Sequence, residues 1–189
     1  MTMKKIAFNF DGVIDDTGKE KIKWFNKKGI NVNVTDKNSL YIELSKKLSM
    51  GHINEIYKEM SENIFIPEVL EKTEPIKGAI EAIKKLSQSF TIYIITSRPA
   101  EMIKDVNRWL INYDLRKNIT GIFSSSYRSK QDICLENHIV FLCDDDIRHI
   151  INSKIKTRVL FNTFDYKFRD DIVQLKRWED IENFIYSNI

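Results

Sequence analysis

Three aspartates stand in a row at Asp144-Asp145-Asp146, directly after the apolar run Ile139 to Cys143. Carboxylates gathered in a partly desolvated cleft repel one another. A hard divalent cation relieves that repulsion, and Mg²⁺ characteristically takes one or two carboxylates together with waters and substrate phosphate oxygens. Asp11, after the first apolar run, is placed to add its carboxylate or its backbone carbonyl to the same cation. The competing reading makes the triplet a cap for a short helix at Ile147 to Ile151, because a helix N-terminus favours negative charge. One aspartate suffices for a cap, so metal binding is expected of the cluster, with capping as a second role of Asp146.

Thr96-Ser97-Arg98 follows Ile94-Ile95 and precedes a helical pattern. A hydroxyl and backbone N–H groups at such a junction can receive a phosphate, although a Thr or Ser there is more often a plain turn or cap residue. Arg98 has the fork to hold a phosphate or carboxylate bidentately, or else it pairs with a surface acid. Lys130 opens a predicted helix, where a cation opposes the macrodipole, so a ligand accounts for it better than local structure does. Most single lysines are solvated, and only the company of the other groups raises this one.

These residues all follow short apolar runs. Ile6 to Phe10, Phe90 to Thr96, Gly121 to Ser124, Ile139 to Cys143 and Arg158 to Phe161 read as buried strands. Helical patterns lie between them: Ile76, Ile80, Ile83 and Leu86 share a face, as do Met102, Val106, Trp109 and Leu110, and a short helix is expected at Lys130 to Glu136. Alternation of this kind predicts an α/β fold with a parallel sheet and helices on both faces. In such a sheet ligands bind beyond the carboxyl ends of the strands, which is where the polar residues stand. Residues 19–72 break the alternation, since Leu40, Leu44, Leu48, Ile53, Ile56, Tyr57 and Met60 repeat at helical spacing. They read as a small helical insertion with a loop at Asn26 to Asn38. Trp178, Ile181 and Ile185 mark one face of a closing helix.

The chain of 189 residues, 42% of them hydrophobic, is enough for one core and a small inserted subdomain. Its 30 basic and 27 acidic residues nearly cancel, and no basic block stands out, which argues against a stable nucleic-acid complex. Cys134 and Cys143 lack a redox or metal spacing and read as reduced thiols near the core. Met1 to Ile14 lacks the pattern of a signal peptide, and no run reaches membrane-spanning length. A soluble, cytoplasmic protein is expected.

Phe8-Asn9-Phe10-Asp11-Gly12-Val13-Ile14 resembles the first motif of haloacid dehalogenase (HAD) superfamily phosphatases, in which two aspartates flank one residue ahead of a glycine. Ile94-Ile95-Thr96-Ser97-Arg98-Pro99 resembles the second motif, Lys130 the third and Leu142-Cys143-Asp144-Asp145 the fourth, in the family's order. The resemblance implies a HAD-type Rossmann-like core from residues 1–18 and 73–189, with a small helical cap, residues 19–72, inserted after the first strand. Glu74-Pro75, Gly78-Ala79, Leu160-Phe161 and Trp178-Glu179-Asp180-Ile181 further resemble the 5′(3′)-deoxyribonucleotidase branch. By resemblance the activity is a phosphomonoesterase, a 5′-nucleotidase acting through an aspartyl-phosphate. Thr96 and Lys130 would hold the phosphoryl oxygens, Asp11 would serve as acid and base, and Gly12, Ser97 and Arg98 would bind substrate. Mg²⁺ would be held by Asn9, the carbonyl of Asp11, Asp144 and Asp145.

Asn9 departs from that pattern. An amide oxygen is a poor nucleophile, so no acyl phosphate can form on it and covalent turnover should nearly vanish. Asn9 is either a change made to an otherwise active phosphatase so as to hold its substrate, which the completeness of the other groups favours, or the native residue of a phosphate-ligand binding protein. Trp24, Phe25, Tyr41, Tyr57 and Phe65 could stack on a nucleobase, although aromatics at helical spacing usually pack among themselves. The expected ligand is a small phosphate ester, a nucleoside monophosphate first and a sugar phosphate second, with a homodimer possible. His52, His138 and His149 lack ligand spacing and receive no role.

Overall fold

The computed structural model describes residues 2–151, 153–161 and 172–189. The first strand, β1 (Lys5–Phe8), is followed by four helices, α1 (Thr17–Lys27), α2 (Lys37–Ser45), α3 (Met50–Ile64) and the single turn α4 (Pro67–Leu70). The chain then alternates through α5 (Ala79–Leu86), β2 (Thr91–Thr96), α6 (Ile103–Asn112), β3 (Gly121–Ser124), α7 (Lys130–Glu136), β4 (Ile139–Asp144), α8 (Ile147–Ile150) and β5 (Thr157–Phe161). It ends with β6 (Val173–Leu175) and α9 (Trp178–Asn188). All strands are parallel, in the order β3-β2-β1-β4-β5-β6. This is the α/β, Rossmann-like architecture that the alternation of patterns predicts.

The strands are apolar throughout because both faces of a parallel sheet are covered. Side chains alternate between those faces. Ile6, Phe8, Ile92, Ile94, Phe141 and Val159 pack toward α5, α6 and α9, where Ile83, Trp109, Trp178 and Ile181 meet them. Ala7, Ile95, Leu142 and Leu160 pack toward α7 and α8 through Ile133, Cys134 and Ile150. Both cysteines are buried and free, and burial pushes the Cys134 thiol up to about 12. Trp178 ties the closing helix to the first strand: its ring lies 4.9 Å from Phe8, and its Nε1 donates to the Val13 carbonyl at 2.7 Å.

The four helices after β1 have a core of their own, formed by Phe25, Val32, Val34, Leu40, Leu44, Ile53, Met60 and Ile64. The expected loop at 26–38 is shorter, since α1 runs to Lys27 and α2 begins at Lys37. The sequence patterns missed α1 and β6. The buried side of α1 consists of Thr17, Gly18, Lys21 and Phe25, which carries no apolar stripe to read. Strand β6 has three residues, fewer than a period-two pattern needs. No helix among the described residues is long and apolar enough to cross a membrane.

Candidate active site

The carboxyl ends of β1, β2 and β4 lie side by side, and each delivers polar residues to one place. Asn9 and Asp11 come from β1, Ser97 and Arg98 from β2, and Asp144 to Asp146 from β4. Together with Lys21, Lys37, Phe65, Pro99, Lys130 and His149 they line a cavity of about 120 Å³. Thr96 and Gly12 are not among the lining residues.

The loop after β1 is tightly wound. The Phe10 carbonyl accepts from the amides of Ile14 and Asp15 at 2.9 and 3.0 Å. Gly12 has φ of +80°, and a Cβ there would stand 2.5 Å from Asp145 Oδ2. Glycine thus admits the Asp145 carboxylate against the backbone, a close approach that a side chain would block. The Gly12 N–H donates to the Asp15 carbonyl at 2.9 Å. That N–H is thus engaged within the loop, and Gly12 shapes the site through the close approach of Asp145.

Asn9 is held on three sides. Its Oδ1 accepts from Lys130 Nζ at 2.8 Å, and its Nδ2 donates to the Asp11 carbonyl at 2.7 Å and to Asp145 Oδ1 at 2.8 Å. Chemistry fixes this orientation of the amide: a lysine ammonium only donates, while a carbonyl and a carboxylate accept. Lys130 also donates to Asp144 Oδ2 at 2.6 Å, and both side chains are almost wholly buried, at 1% and 0% exposure. His149 Nδ1 lies 3.0 Å from the same Asp144 oxygen. Burial pushes the Asp144 carboxyl up, but the Lys130 charge and the His149 hydrogen bond outweigh it and hold the group below its usual range.

Asp11 faces Arg98. The guanidinium Nε and Nη2 reach Asp11 Oδ1 at 2.9 and 2.7 Å, and Thr96 Oγ1 donates to Oδ2 at 3.1 Å. Burial works against the Asp11 carboxylate, and the Arg98 charge and hydrogen bonds overcome it, leaving the group below its usual range. The Arg98 guanidinium carbon lies 5.9 Å from the Phe10 ring and 5.3 Å from the Phe65 ring, between the strand end and the inserted helices. Its Nη1 is buried without a partner. Lys21 on α1 is 4% exposed, has its Nζ 5.6 Å from the Phe65 ring, and makes no hydrogen bond or salt bridge among the described residues.

Asp145 has no cation in direct contact. Burial pushes its carboxyl up to about 6, with the Lys21 charge opposing and Asp144 adding to the rise. Asp146 caps α8 as expected, accepting from the Arg148 amide at 3.0 Å, and it pairs with Lys37 at 2.8 Å. Asn38 braces this loop from α2. It donates to the Asp145 carbonyl at 2.5 Å and accepts from the Ile147 amide at 3.2 Å.

The predicted metal ligands Asn9, Asp11, Asp144 and Asp145 are thus neighbours, yet their arrangement does not fit Mg²⁺. Asn9 has a single oxygen, which Lys130 occupies, and its amide nitrogen faces the two oxygens that a cation would need. Asp144 Oδ2 is shared by Lys130 and His149. Among the described residues no group of three or more His, Cys, Asp or Glu side chains is set to hold a metal ion. The expected acid-base role of Asp11 meets a similar obstacle, since its carboxylate is engaged by Arg98. What the site offers is a buried, partly unsatisfied set of cations beside a residue that cannot attack phosphorus.

Sequence reasoning missed Lys21, Asn38 and His149. The only available signal for Lys21 was a lysine four positions before the buried Phe25, on the same helix face. His149 was set aside for want of spacing, although it lies one helical turn beyond Asp145. Trp24, Phe25 and Phe65 divide by location. Phe25 packs in the helical core, with Trp24 edge-on to it at 5.2 Å, whereas Phe65 lines the cavity. Tyr41 and Tyr57, with ring centroids 6.0 Å apart, line an adjoining groove of about 570 Å³ that shares Lys37 and Asp146 with the cavity.

A scan against models of known protein families and a search of curated proteins find no match. Solved structures do match. A haloacid dehalogenase-like hydrolase from Streptococcus pneumoniae aligns over 96% of this chain and 98% of its own, with a TM-score of 0.62 and 16% identity. A Bacillus subtilis protein described as a HAD-hydrolase bound to magnesium aligns over the full length of both chains, with a TM-score of 0.59 and 16% identity. A predicted phosphoglycolate phosphatase from Haemophilus somnus aligns over 98% of this chain and 99% of its own, with a TM-score of 0.54 and 12% identity. At these identities the likeness is one of fold.

Proposed function

We propose that, on the fold it shares with haloacid dehalogenase-like hydrolases, this chain binds the phosphate of a small phosphate monoester at its strand ends and holds it without hydrolysis. The observation that carries the reading is a pair of buried cations in the cavity wall: Arg98 with an unpartnered Nη1, and Lys21, whose charge acts on Asp11 and Asp145 without a carboxylate in hydrogen-bond contact. A buried donor without a partner is costly, and a phosphate oxygen would answer Arg98 Nη1 while giving Lys21 an anion in contact. Ser97 stands at the cavity rim to add a hydroxyl.

The rest is phosphatase-like in plan, with the chemical step removed. A phosphomonoesterase working through an aspartyl-phosphate needs a carboxylate where Asn9 stands. The amide there keeps the contact with Lys130 and supplies no nucleophile. Lys130 remains in contact with position 9 and Asp11 stands two residues on, so Asn9→Asp should restore hydrolysis once a bound phosphate draws Arg98 away from the Asp11 carboxylate. Residues 19–72 act in this reading as a cap, contributing Lys21, Lys37 and Phe65 to the cavity wall.

A cavity of about 120 Å³ suits a phosphate group and little else. The adjoining groove, with Tyr41, Tyr57 and the amides of Asn38 and Asn54, has room for a nucleoside, which supports a nucleoside monophosphate. A sugar phosphate or other small acid ester is the second reading, favoured by the name of the Haemophilus somnus structure. Calorimetric titration with inorganic phosphate, nucleoside monophosphates and sugar phosphates tests both. Binding that is tightest for nucleotides supports the first reading, binding that is tightest for sugar phosphates supports the second, and absence of binding to any of them removes the proposal.

A further inference from the structure

We infer that the Asn9 carboxamide stands in for the divalent cation, so that the pocket takes its phosphate ligand with protein donors alone. Two acceptors at the strand ends, the Asp11 carbonyl and Asp145 Oδ1, have no lysine or arginine in contact. Both accept from Asn9 Nδ2, at 2.7 and 2.8 Å. The third polar contact, Lys130 Nζ at 2.8 Å, falls on the one remaining polar atom of the amide. Two N–H donors meet two acceptors and one oxygen meets one ammonium, so every polar atom of the side chain is engaged.

A carboxylate at position 9 would not match these surroundings. Its second oxygen would lie against the Asp11 carbonyl and the Asp145 carboxylate, acceptor against acceptor, and only a cation between them would make that stable. The amide removes the need by carrying the donors itself. Turning the amide over to offer its oxygen to a metal would point its N–H groups at the Lys130 ammonium, which cannot accept. Asn9 can therefore serve Lys130 or a metal, not both, and Lys130 is already fixed by its buried pairing with Asp144.

Charge supports the same conclusion. The carboxylates of Asp11, Asp144, Asp145 and Asp146 share the cavity wall with Lys21, Lys37, Arg98 and Lys130, so the ligand-free pocket needs no added cation to balance its acids. The part of the inference that concerns phosphate rests on the ligand reading above; the part that concerns the metal does not. One atom at position 9, nitrogen or oxygen, decides whether the site requires Mg²⁺.

Thermal unfolding in a Mg²⁺ titration without phosphate tests the metal part directly. This chain should show no saturable shift up to millimolar Mg²⁺. Asn9→Asp should shift upward by roughly 5 °C or more once Mg²⁺ is about a hundredfold above its Kd. Asn9→Ala, which clears the amide without adding charge, should gain a smaller shift and serves if the aspartate variant does not fold. A saturable shift in this chain equal to that of Asn9→Asp overturns the inference, as does absence of a shift in every variant. Inorganic phosphate binding by this chain should change less than about twofold between EDTA and excess Mg²⁺. Binding that needs Mg²⁺ overturns the inference while leaving the phosphate reading intact; no binding in either buffer removes the phosphate reading and leaves the metal result standing.

Discussion

Arg98 closes on Asp11 with two of its nitrogens 2.9 and 2.7 Å from the same carboxylate oxygen, and its third nitrogen is left buried and free. The pair holds the loop after β1 to the loop after β2, and leaves a spare donor on a residue of the cavity wall. Breaking a buried pair from one side leaves an uncompensated charge and typically costs about 3–5 kcal/mol. Arg98→Ala should therefore lower stability by about that much in urea unfolding. Arg98→Lys keeps the charge but loses the fork, and should fold while losing phosphate affinity. Equal affinity in the lysine variant would show that Nη1 does not meet the ligand.

Asp15 sits behind the site, fully buried, and accepts from the Thr17 amide at 3.0 Å, with Thr73 Oγ1 at 2.6 Å from its other oxygen. Burial first, and the Asp11 charge second, push its carboxyl up to about 8. The folded chain thus keeps a proton that the unfolded chain releases near pH 4. Stability from this group falls as pH rises from about 4 to about 8 and then levels off. Asp15→Asn retains the Thr17 contact and presents an N–H to Thr73 without ionising. Its stability relative to the parent should increase from pH 5.5 to pH 8.5 in denaturant titrations; a pH-independent difference would show that Asp15 titrates normally.

Lys21 is a cation placed where α1 would ordinarily bury an apolar side chain. Without a carboxylate in contact, its desolvation cost is offset only by its longer-range attraction to Asp11 and Asp145. Lys21→Met should leave stability unchanged or raise it by about 1 kcal/mol. Phosphate affinity should fall roughly tenfold or more, the usual scale for a hydrogen bond to a charged group. Denaturant and calorimetric titrations of the one variant read both effects, and an undiminished affinity would place Lys21 outside the ligand site.

The sheet was legible because its strands are nearly continuous apolar runs and its helices keep apolar residues such as Ile83, Leu86, Trp109 and Leu110 on one side. The position of the site was legible for the same reason, since every strand end carries its polar residues immediately after the run. The partnerships were not. Whether Arg98 reaches forward to a ligand or back to Asp11 depends on contacts 87 residues apart in sequence. The inward orientation of Lys21 depends on how α1 packs over the sheet, and its helix face bears no apolar stripe to announce it. The number of N–H groups on Asn9 could be read from its residue type, but the acceptors they meet come from two different strand ends.

The central claim is that this pocket is a phosphomonoester site in which Asn9 blocks turnover. Phosphate release from a panel of nucleoside monophosphates and sugar phosphates, measured in Mg²⁺ for this chain and for Asn9→Asp together, tests it most directly. The account predicts release by the variant and a rate at least about 10³-fold lower for this chain, the scale of losing a covalent nucleophile. Equal rates for the two proteins, or no release by a folded Asn9→Asp variant on any ester, would contradict it.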